Sequence, residues 1–317
     1  MCYGDTLMQT IAIIGTGVIG TGWAIRCLAH GIRVNAWDPA PDFQARLNKD
    51  VRRLWPLLQQ QGLTQTPEPA EIHCHEALST ACQGVDFVQE SAPEDLLIKQ
   101  SLHREIDAAT DPETPVASSS SGLLPTAIQA VYQHPGRCLI GHPFNPVYLL
   151  PLVEVVGGQL THSTTLETAT KFYEQLSMKP LRVRNEIEGY LSDRLQEALW
   201  REALHLVNDG IATTEELDNA ITYGPGLRWA FMGTCLTFHL AGGKQGMRHM
   251  LEQFGPALKL PWTKLEAPEL SDTLIERMVS GTQAQAGSRS IEELESLRDN
   301  CLIELMAVVE KYRSQGL

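Results

Sequence analysis

Near its start the 317-residue chain carries an uncharged, strand-like run, Thr10-Ile-Ala-Ile-Ile14, that enters Gly15-Thr-Gly17-Val-Ile-Gly20. A helix-like segment, Trp23 to His30, follows, then a second short strand, Arg33 to Trp37, that ends at Asp38. Glycines spaced G-x-G-x-x-G between a strand and a helix, with an acid closing the second strand, form a dinucleotide-binding fingerprint in its proper setting. Gly15 allows the tight turn, Gly17 lets the backbone approach a pyrophosphate with no Cβ in the way, and Gly20 lets the helix lie close to the strand. The helix N-terminus offers amides and partial positive charge to the phosphates. A carboxylate at Asp38 suits the adenosine ribose hydroxyls and would repel a 2′-phosphate, so the expected cofactor is NAD rather than NADP.

Hydrophobic residues make up 43% and charged residues 20%, enough to bury a sizeable core without disulfides. A length of 317 residues suits two domains. The formal net charge of −13 argues against nucleic acid and anionic membrane surfaces as partners and is compatible with a cationic substrate; the partner expected from the dinucleotide fingerprint is a small molecule. Seven scattered cysteines with no Cys-x-x-Cys suit reduced thiols, and the opening residues Met1 to Asp5 show no basic, apolar leader, so a cytoplasmic location is expected. His73-Cys74-His75 invites a metal reading, but no further ligand cluster accompanies it, and a half-exposed strand is the expectation; no metal is expected.

Up to residue 186, short apolar strands alternate with helical segments. Strands are expected at 85–90, 116–119, 138–142, 152–156 and 181–184, and helices at 96–109 and 164–178. The stretch Phe43 to Gln61 is helical in pattern and expected to break near Pro56. From residue 187 the patterns are helical throughout: 189–209, a capped helix opening at Thr213-Thr-Glu-Glu216, 234–254, 271–279 and 290–313. The expected fold is α/β, with an N-terminal Rossmann-type doubly wound sheet over 1–186 and an all-helical C-terminal domain over 187–317.

In an open α/β sheet the ligand sits at the carboxyl ends of the strands. Three polar features fall there: Ser118-Ser-Ser-Ser121-Gly122, then His142 in His-Pro-Phe-Asn-Pro146, and Glu154 beyond a proline-punctuated loop. Alcohol oxidation needs such a set. Hydride leaves carbon for the nicotinamide while the hydroxyl proton goes to a base. Histidine is suited to accept that proton and return it. A carboxylate on its other ring nitrogen fixes the tautomer and stabilises the imidazolium, and a serine hydroxyl can orient the substrate oxygen.

These pieces resemble the 3-hydroxyacyl-CoA dehydrogenase family over the whole chain: the glycine turn, Glu94 with Lys99, the serine-rich turn before Leu123, Gly141-His-Pro-Phe-Asn-Pro-Val147 and Leu152-Val-Glu-Val155. The resemblance implies His142 as general base with Glu154 as its partner, Ser121 and Asn145 in contact with substrate and nicotinamide, and Glu94 and Lys99 along the nicotinamide ribose. Longer blocks, including Ser119 to Pro125, Gly141 to Gly158, Glu197 to Gly210 and Gly226 to Gly233, are similar to the members of the family that oxidise L-carnitine to 3-dehydrocarnitine with NAD. The chain departs from the acyl-CoA enzymes at Gly189-Tyr-Leu-Ser-Asp193-Arg194, where Asp193 stands in place of their asparagine. It also lacks a counterpart of their C-terminal lysine segment. Both departures argue against a CoA thioester substrate. A quaternary ammonium is held by aromatic faces and negative charge, and Trp229 and Phe231, with Asp193, are the expected cage; Arg194 or Arg228 could receive the carboxylate. Alternatives within this reading are another short 3-hydroxy acid or sugar acid as substrate, or a non-catalytic crystallin-like relative. The resemblance also implies a homodimer through the helical half.

Overall fold

Strand β1 (Thr10–Ile14) reads as an unbroken apolar run because it is covered on both faces. Ile11 and Ile13 join Trp23, Ile25, Val34 and Phe172 in one cluster, while Ala12 and Ile14 join Leu78, Val88 and Ile106 in the other. The computed structural model describes residues 8–313 except 61, 65, 231, 243, 245 and 265–270. Seven more strands complete the sheet: β2 (Arg33–Trp37), β3 (His73–Cys74), β4 (Phe87–Glu90), β5 (Val116–Ser118), β6 (Cys138–Pro143), β7 (Leu152–Gly157) and β8 (Lys179–Val183). Their order is β3-β2-β1-β4-β5-β6-β7-β8, and of the neighbouring pairs only β6 and β7 run antiparallel. The order reverses about β1, which opens a crevice at the carboxyl ends of β1 and β4. A Rossmann-type sheet followed by helices is thus the observed architecture. Pro180 lies in β8, at the edge of the sheet, where a strand proline is tolerated.

Helices α1 (Val18–Ala29), α2 (Phe43–Gln60), α3 (Leu78–Ala81), α4 (Leu96–Ala109), α5 (Pro125–Gln129) and α6 (Ser163–Gln175) flank the sheet. The expected break in α2 does not occur: the helix runs through Pro56. A proline removes one backbone donor and crowds the preceding turn. Here the apolar face on either side of it, Leu47, Val51, Leu54, Trp55 and Leu58, is buried and holds both halves in one line. Arg26 ends α1 inside the protein, 2% exposed, and donates to the carbonyls of Val147, Leu150, Leu176 and Ser177. It ties the coenzyme-side helix to the loop that leads out of β6.

By its contacts the chain divides into two units, the first ending at Asp193 and the second beginning at Arg194. Among its described residues the second unit contains helices and no strand: α7 (Ser192–Asn208), α8 (Thr214–Thr222), α9 (Pro225–Trp229), α10 (Thr234–Ala241), α11 (Gly246–Phe254), α12 (Asp272–Ala286) and α13 (Ile291–Arg313). The capping box at α8 is present, with Thr213 Oγ1 accepting the Glu216 N–H at 3.2 Å and the Glu216 carboxylate accepting the Thr213 N–H at 2.8 Å.

Two helical expectations need correction. The first turn of the 189–209 pattern is not helical, because Gly189 and Tyr190 take φ of 70° and 45°. That left-handed pair swings the Tyr190 ring into the core, where its hydroxyl donates to Leu123 O at 2.7 Å, and α7 starts only at Ser192. The 234–254 pattern is two helices, α10 closing at Gly242 and α11 opening at Gly246, whose φ of 63° no continuous right-handed helix contains. Among the described residues no helix is long and apolar enough to cross a membrane.

Candidate active site

The coenzyme half is built by the turn from β1 to α1. Gly15 has φ 90°, and a Cβ there would sit 2.8 Å from the Ser91 backbone. A Cβ on Gly20 would lie 1.8 Å from Gly15 O, so helix and turn close on each other only with glycine. Gly17 differs, since a Cβ there would meet nothing within 4 Å. Its surroundings are open, and as N-cap of α1 it brings no side-chain cap to the first amides. Space without a Cβ and uncapped amides are what a pyrophosphate needs, so these residues fit NAD. Asp38 faces the same turn. Its Oδ2 accepts from the Thr16 N–H at 2.7 Å and its Oδ1 from the Ala40 N–H at 2.9 Å. Oδ2 also accepts from Thr16 Oγ1 at 3.1 Å, so Oδ1 is the oxygen that keeps a lone pair for a ribose hydroxyl.

The other half is a strand hairpin. Because β7 runs back along β6, His142 is paired in register with Glu154, and the twelve-residue separation becomes a side-by-side contact. His142 Nδ1 lies 2.9 Å from Glu154 Oε2. The second oxygen, Oε1, accepts the N–H groups of Leu191 and Ser192, both at 3.0 Å, where α7 begins. Burial alone would raise the Glu154 pKa, but the bonds from His142 and from those two amides outweigh it and hold the carboxyl below its ordinary value. An ionised carboxylate only accepts, so Nδ1 carries the proton and the Nε2 lone pair points away from Glu154. The imidazole of His142, a residue 4% exposed, is wedged between the rings of Phe144 and Tyr190, with centroids 5.0 and 5.5 Å away. Asp193 Oδ2 stands 3.6 Å from Nε2.

Glu94 organises the serine-rich turn: one carboxylate oxygen accepts from Ser120 Oγ at 2.5 Å and from the N–H groups of Ser121 and Gly122, both at 3.0 Å. Ser121 and Asn145 are exposed, the first after β5 and the second after β6. Lys99 is 1% exposed and gives its ammonium to Glu90 at 2.9 Å, with Glu94 3.8 Å away. Of the proposed cage, Trp229 is half-buried at the end of α9 in the second unit, Phe231 lies outside the described residues, and Asp193 closes the first unit beside His142. Arg194 opens the second unit and Arg228 is exposed on α9. His73 and Cys74 form the edge strand β3, and among the described residues no group of three or more His, Cys, Asp or Glu could hold a metal.

Sequence reasoning missed the polar layer beneath this site. Glu90, at the end of β4, is fully buried and accepts from Lys99 Nζ at 2.9 Å and Ser118 Oγ at 2.5 Å, with His103 Nε2 at 2.9 Å. Next to it, Gln89 Nε2 donates to Ser119 Oγ at 2.9 Å and to Gly141 O at 3.2 Å, while Tyr173 OH donates to Gln89 Oε1 at 2.8 Å. Gln89 thereby braces both the serine turn and the residue before His142. The signal was present in Val88-Gln89-Glu90, two polar residues closing an otherwise apolar strand.

Residues 10–187 match the family "3-hydroxyacyl-CoA dehydrogenase, NAD binding domain", and residues 189–289 match its C-terminal domain. The L-carnitine dehydrogenase of Pseudomonas aeruginosa is 54% identical over 310 residues, covering 98% of this chain and 97% of that one. The L-carnitine dehydrogenase of Bacillus cereus is 50% identical over 309 residues, covering 98% and 95%. Among solved structures, 5-formyl-3-hydroxy-2-methylpyridine 4-carboxylic acid 5-dehydrogenase, described as an NAD+-dependent dismutase, superposes with a TM-score of 0.80 at 25% identity, covering 96% of this chain and 99% of that one. The 3-hydroxybutyryl-CoA dehydrogenase of Escherichia coli K12 shares the fold, with a TM-score of 0.66 at 23% identity, covering 90% of this chain and 61% of that one. With both family domains matched in order along one chain, and a glycine turn whose surroundings fit the cofactor, the protein is an NAD-dependent dehydrogenase that belongs to the 3-hydroxyacyl-CoA dehydrogenase family.

Proposed function

We propose that the chain oxidises L-carnitine to 3-dehydrocarnitine with NAD, using His142 as general base. The observation that supports the substrate is the near-full-length identity, 54% and 50%, to proteins named L-carnitine dehydrogenase. Bound NAD supplies the hydride acceptor. His142 Nε2 accepts the hydroxyl proton, and Glu154 holds the opposite nitrogen protonated and stabilises the imidazolium that forms. Ser121 and Asn145 orient the substrate oxygen beside the nicotinamide. Gly15, Gly17 and Gly20 shape the pyrophosphate site, Asp38 takes the adenosine ribose, and Glu94 and Lys99 support the nicotinamide side through the turn they hold.

The test is NADH formation, followed by absorbance, when L-carnitine and NAD are mixed with the protein. A panel of 3-hydroxybutyrate, gulonate and 3-hydroxybutyryl-CoA runs beside it. L-Carnitine is expected to give the highest kcat/KM. A higher value with any panel member reassigns the substrate, and silence with all of them defeats the reading of the substrate as a short 3-hydroxy acid.

Cofactor choice rests on the charge of Asp38. Asp38→Ser removes a charge-assisted acceptor, a kind of bond worth about 1.5–3 kcal/mol, so KM for NAD is expected to rise by roughly 10- to 100-fold. The same change lifts the repulsion of a 2′-phosphate, so initial rates with NADP should increase. Unaltered KM for NAD would remove Asp38 from the ribose site.

As part of the same reading the protein is a homodimer through its helical unit. Leu195, Leu199 and Trp200, spaced along one side of α7, are 70%, 49% and 49% exposed and provide an apolar surface for the second copy. Sedimentation equilibrium reads the mass directly.

A further inference from the structure

We infer that Ser91 is a further coenzyme-binding residue, whose hydroxyl donates to an acceptor oxygen on the nicotinamide nucleoside half of the dinucleotide. It rests on the coenzyme placement given above and not on which alcohol is oxidised. Strand order sets the place. From the adenosine side toward the base, the strand ends carry Asp38 after β2, the glycine turn after β1, Ser91 after β4, the serine turn after β5 and His142 in β6. A dinucleotide with its ribose on Asp38 and its pyrophosphate on the glycine turn must cross the end of β4 to bring its reacting ring to the serine turn and His142. Ser91, half-buried, stands at that crossing. Its N–H donates to Ile14 O at 2.7 Å, and a Cβ on Gly15 would lie 2.8 Å from its carbonyl carbon and oxygen.

The Ser91 hydroxyl has a set direction. Ser119 Oγ lies 3.1 Å from Trp23 Nε1, 2.9 Å from Gln89 Nε2 and 2.9 Å from Ser91 Oγ. An indole N–H only donates. The Gln89 amide is fixed the same way at both ends. Its nitrogen also faces the Gly141 carbonyl, which only accepts, at 3.2 Å, and its oxygen takes the Tyr173 hydroxyl proton at 2.8 Å. A Cβ on Gly141 would lie 1.8 Å from the Tyr173 hydroxyl, so the tyrosine reaches Gln89 only past a glycine. Two donors fill both lone pairs of Ser119, and its own proton therefore goes to Ser91 Oγ. Trp23, Gln89 and Tyr173 are fully buried, which keeps water from reversing the sense. The bonds thus run one way from the core to the crevice, Tyr173 to Gln89, Ser119 and Ser91. Among the described residues Ser119 is the one hydrogen-bond partner of Ser91 Oγ, which leaves the last proton for an acceptor from outside the protein. The nicotinamide nucleoside brings ribose hydroxyl oxygens and a carboxamide carbonyl, all acceptors.

The experiment measures binding rather than turnover. Dissociation constants for NADH, ADP-ribose and ADP are read by calorimetry with wild type, Ser91→Ala, Ser91→Thr and Ser119→Ala, and melting temperatures report folding. ADP carries the adenosine and pyrophosphate without the nicotinamide nucleoside. Ser91→Ala should raise Kd for NADH by about 3- to 10-fold, the loss of one neutral hydrogen bond, while Kd for ADP stays within about twofold of wild type. Ser91→Thr keeps the hydroxyl and should recover most of the affinity. Ser91→Cys, close to serine in shape and a weak donor, should repeat the loss without shortening the side chain. A loss shared by ADP-ribose assigns the acceptor to the ribose, and one confined to NADH assigns it to the carboxamide. Ser119→Ala retains the Ser91 hydroxyl and should weaken NADH less than Ser91→Ala does. An equal or larger loss there would mean that Ser91 only holds the serine turn, and overturns the inference. Equal losses for ADP and NADH in Ser91→Ala, or an unchanged Kd for NADH, overturn it as well and leave the coenzyme placement standing. A wild type that binds no NADH overturns the placement and the inference together.

Discussion

His142→Gln is expected to reduce kcat for carnitine oxidation by about 10²–10⁴-fold while leaving NADH binding close to wild type. The glutamine keeps a polar side chain in the gap between Phe144 and Tyr190 and removes only the group that takes the proton. Glu154→Gln should also lose rate, by a smaller factor, because Nδ1 can still be bonded but the imidazolium loses its counter-charge. That variant carries a second effect, since Glu154 Oε1 also receives the Leu191 and Ser192 amides. Proton balance adds a sign. Oxidation requires an imidazole free to accept, so kcat/KM for carnitine falls as the medium becomes acidic, and reduction of the ketone, which needs the imidazolium as donor, falls as it becomes alkaline. Parallel pH profiles in the two directions, or a His142→Gln enzyme with near-normal rate, would take the proton transfer away from His142.

Glu90→Gln should be the most destabilising of the conservative changes near the site. Glu90 is fully buried, and burial by itself would raise its pKa, but the bond from His103 and the charge and bond of Lys99 bring it down from 4.5 to about 2. A lowered carboxyl pKa stabilises the fold above the unfolded value, and that stability is lost as pH falls through the folded one. The window is therefore pH 4.5 down to about 2, and the contribution is roughly 3 kcal/mol at neutral pH. Substitution by glutamine does more than delete this term, because it leaves the Lys99 ammonium, 1% exposed, with the Ala92 carbonyl at 3.1 Å and the more distant Glu94 carboxylate at 3.8 Å. Breaking a buried pair from one side costs about 3–5 kcal/mol, which corresponds to a Tm lower by about 10 °C for a unit of this size. Thermal melts from pH 7 to pH 3 would show it. The wild-type advantage should shrink toward acid, and an equal Tm for the two proteins at pH 7 would mean that the cluster contributes nothing net.

Much of this molecule is legible in its sequence where a local rule acts. The glycine turn is readable because strand, turn, helix and acid are consecutive, and each glycine has a separate steric reason that the structure bears out at Gly15 and Gly20. His142 and Glu154 are readable as neighbours because a proline-rich loop lets the chain double back, although the strict register of β6 on β7 is a property of the ladder. Pro56 was misleading, since burial of one helix face outweighed a local preference for a break. The Glu90 cluster was illegible for a different reason: its members are separated by 9, 13 and 28 positions, and no periodicity links them. Lys99 shows the same limit, because its spacing from Glu94 is visible in the sequence and its burial against Glu90 is not. The place of Asp193 depends on two consecutive left-handed residues, one of them a tyrosine, which rarely adopts that conformation.

The single reversed strand pairing in the sheet has a structural consequence. Because His142 and Glu154 are rungs of one antiparallel ladder, their mutual geometry is inherited from main-chain hydrogen bonds and does not depend on the connection between them. The intervening segment, 144–151, is thus relieved of setting that geometry and serves other ends: Phe144 packs on the imidazole, and the carbonyls of Val147 and Leu150 anchor Arg26.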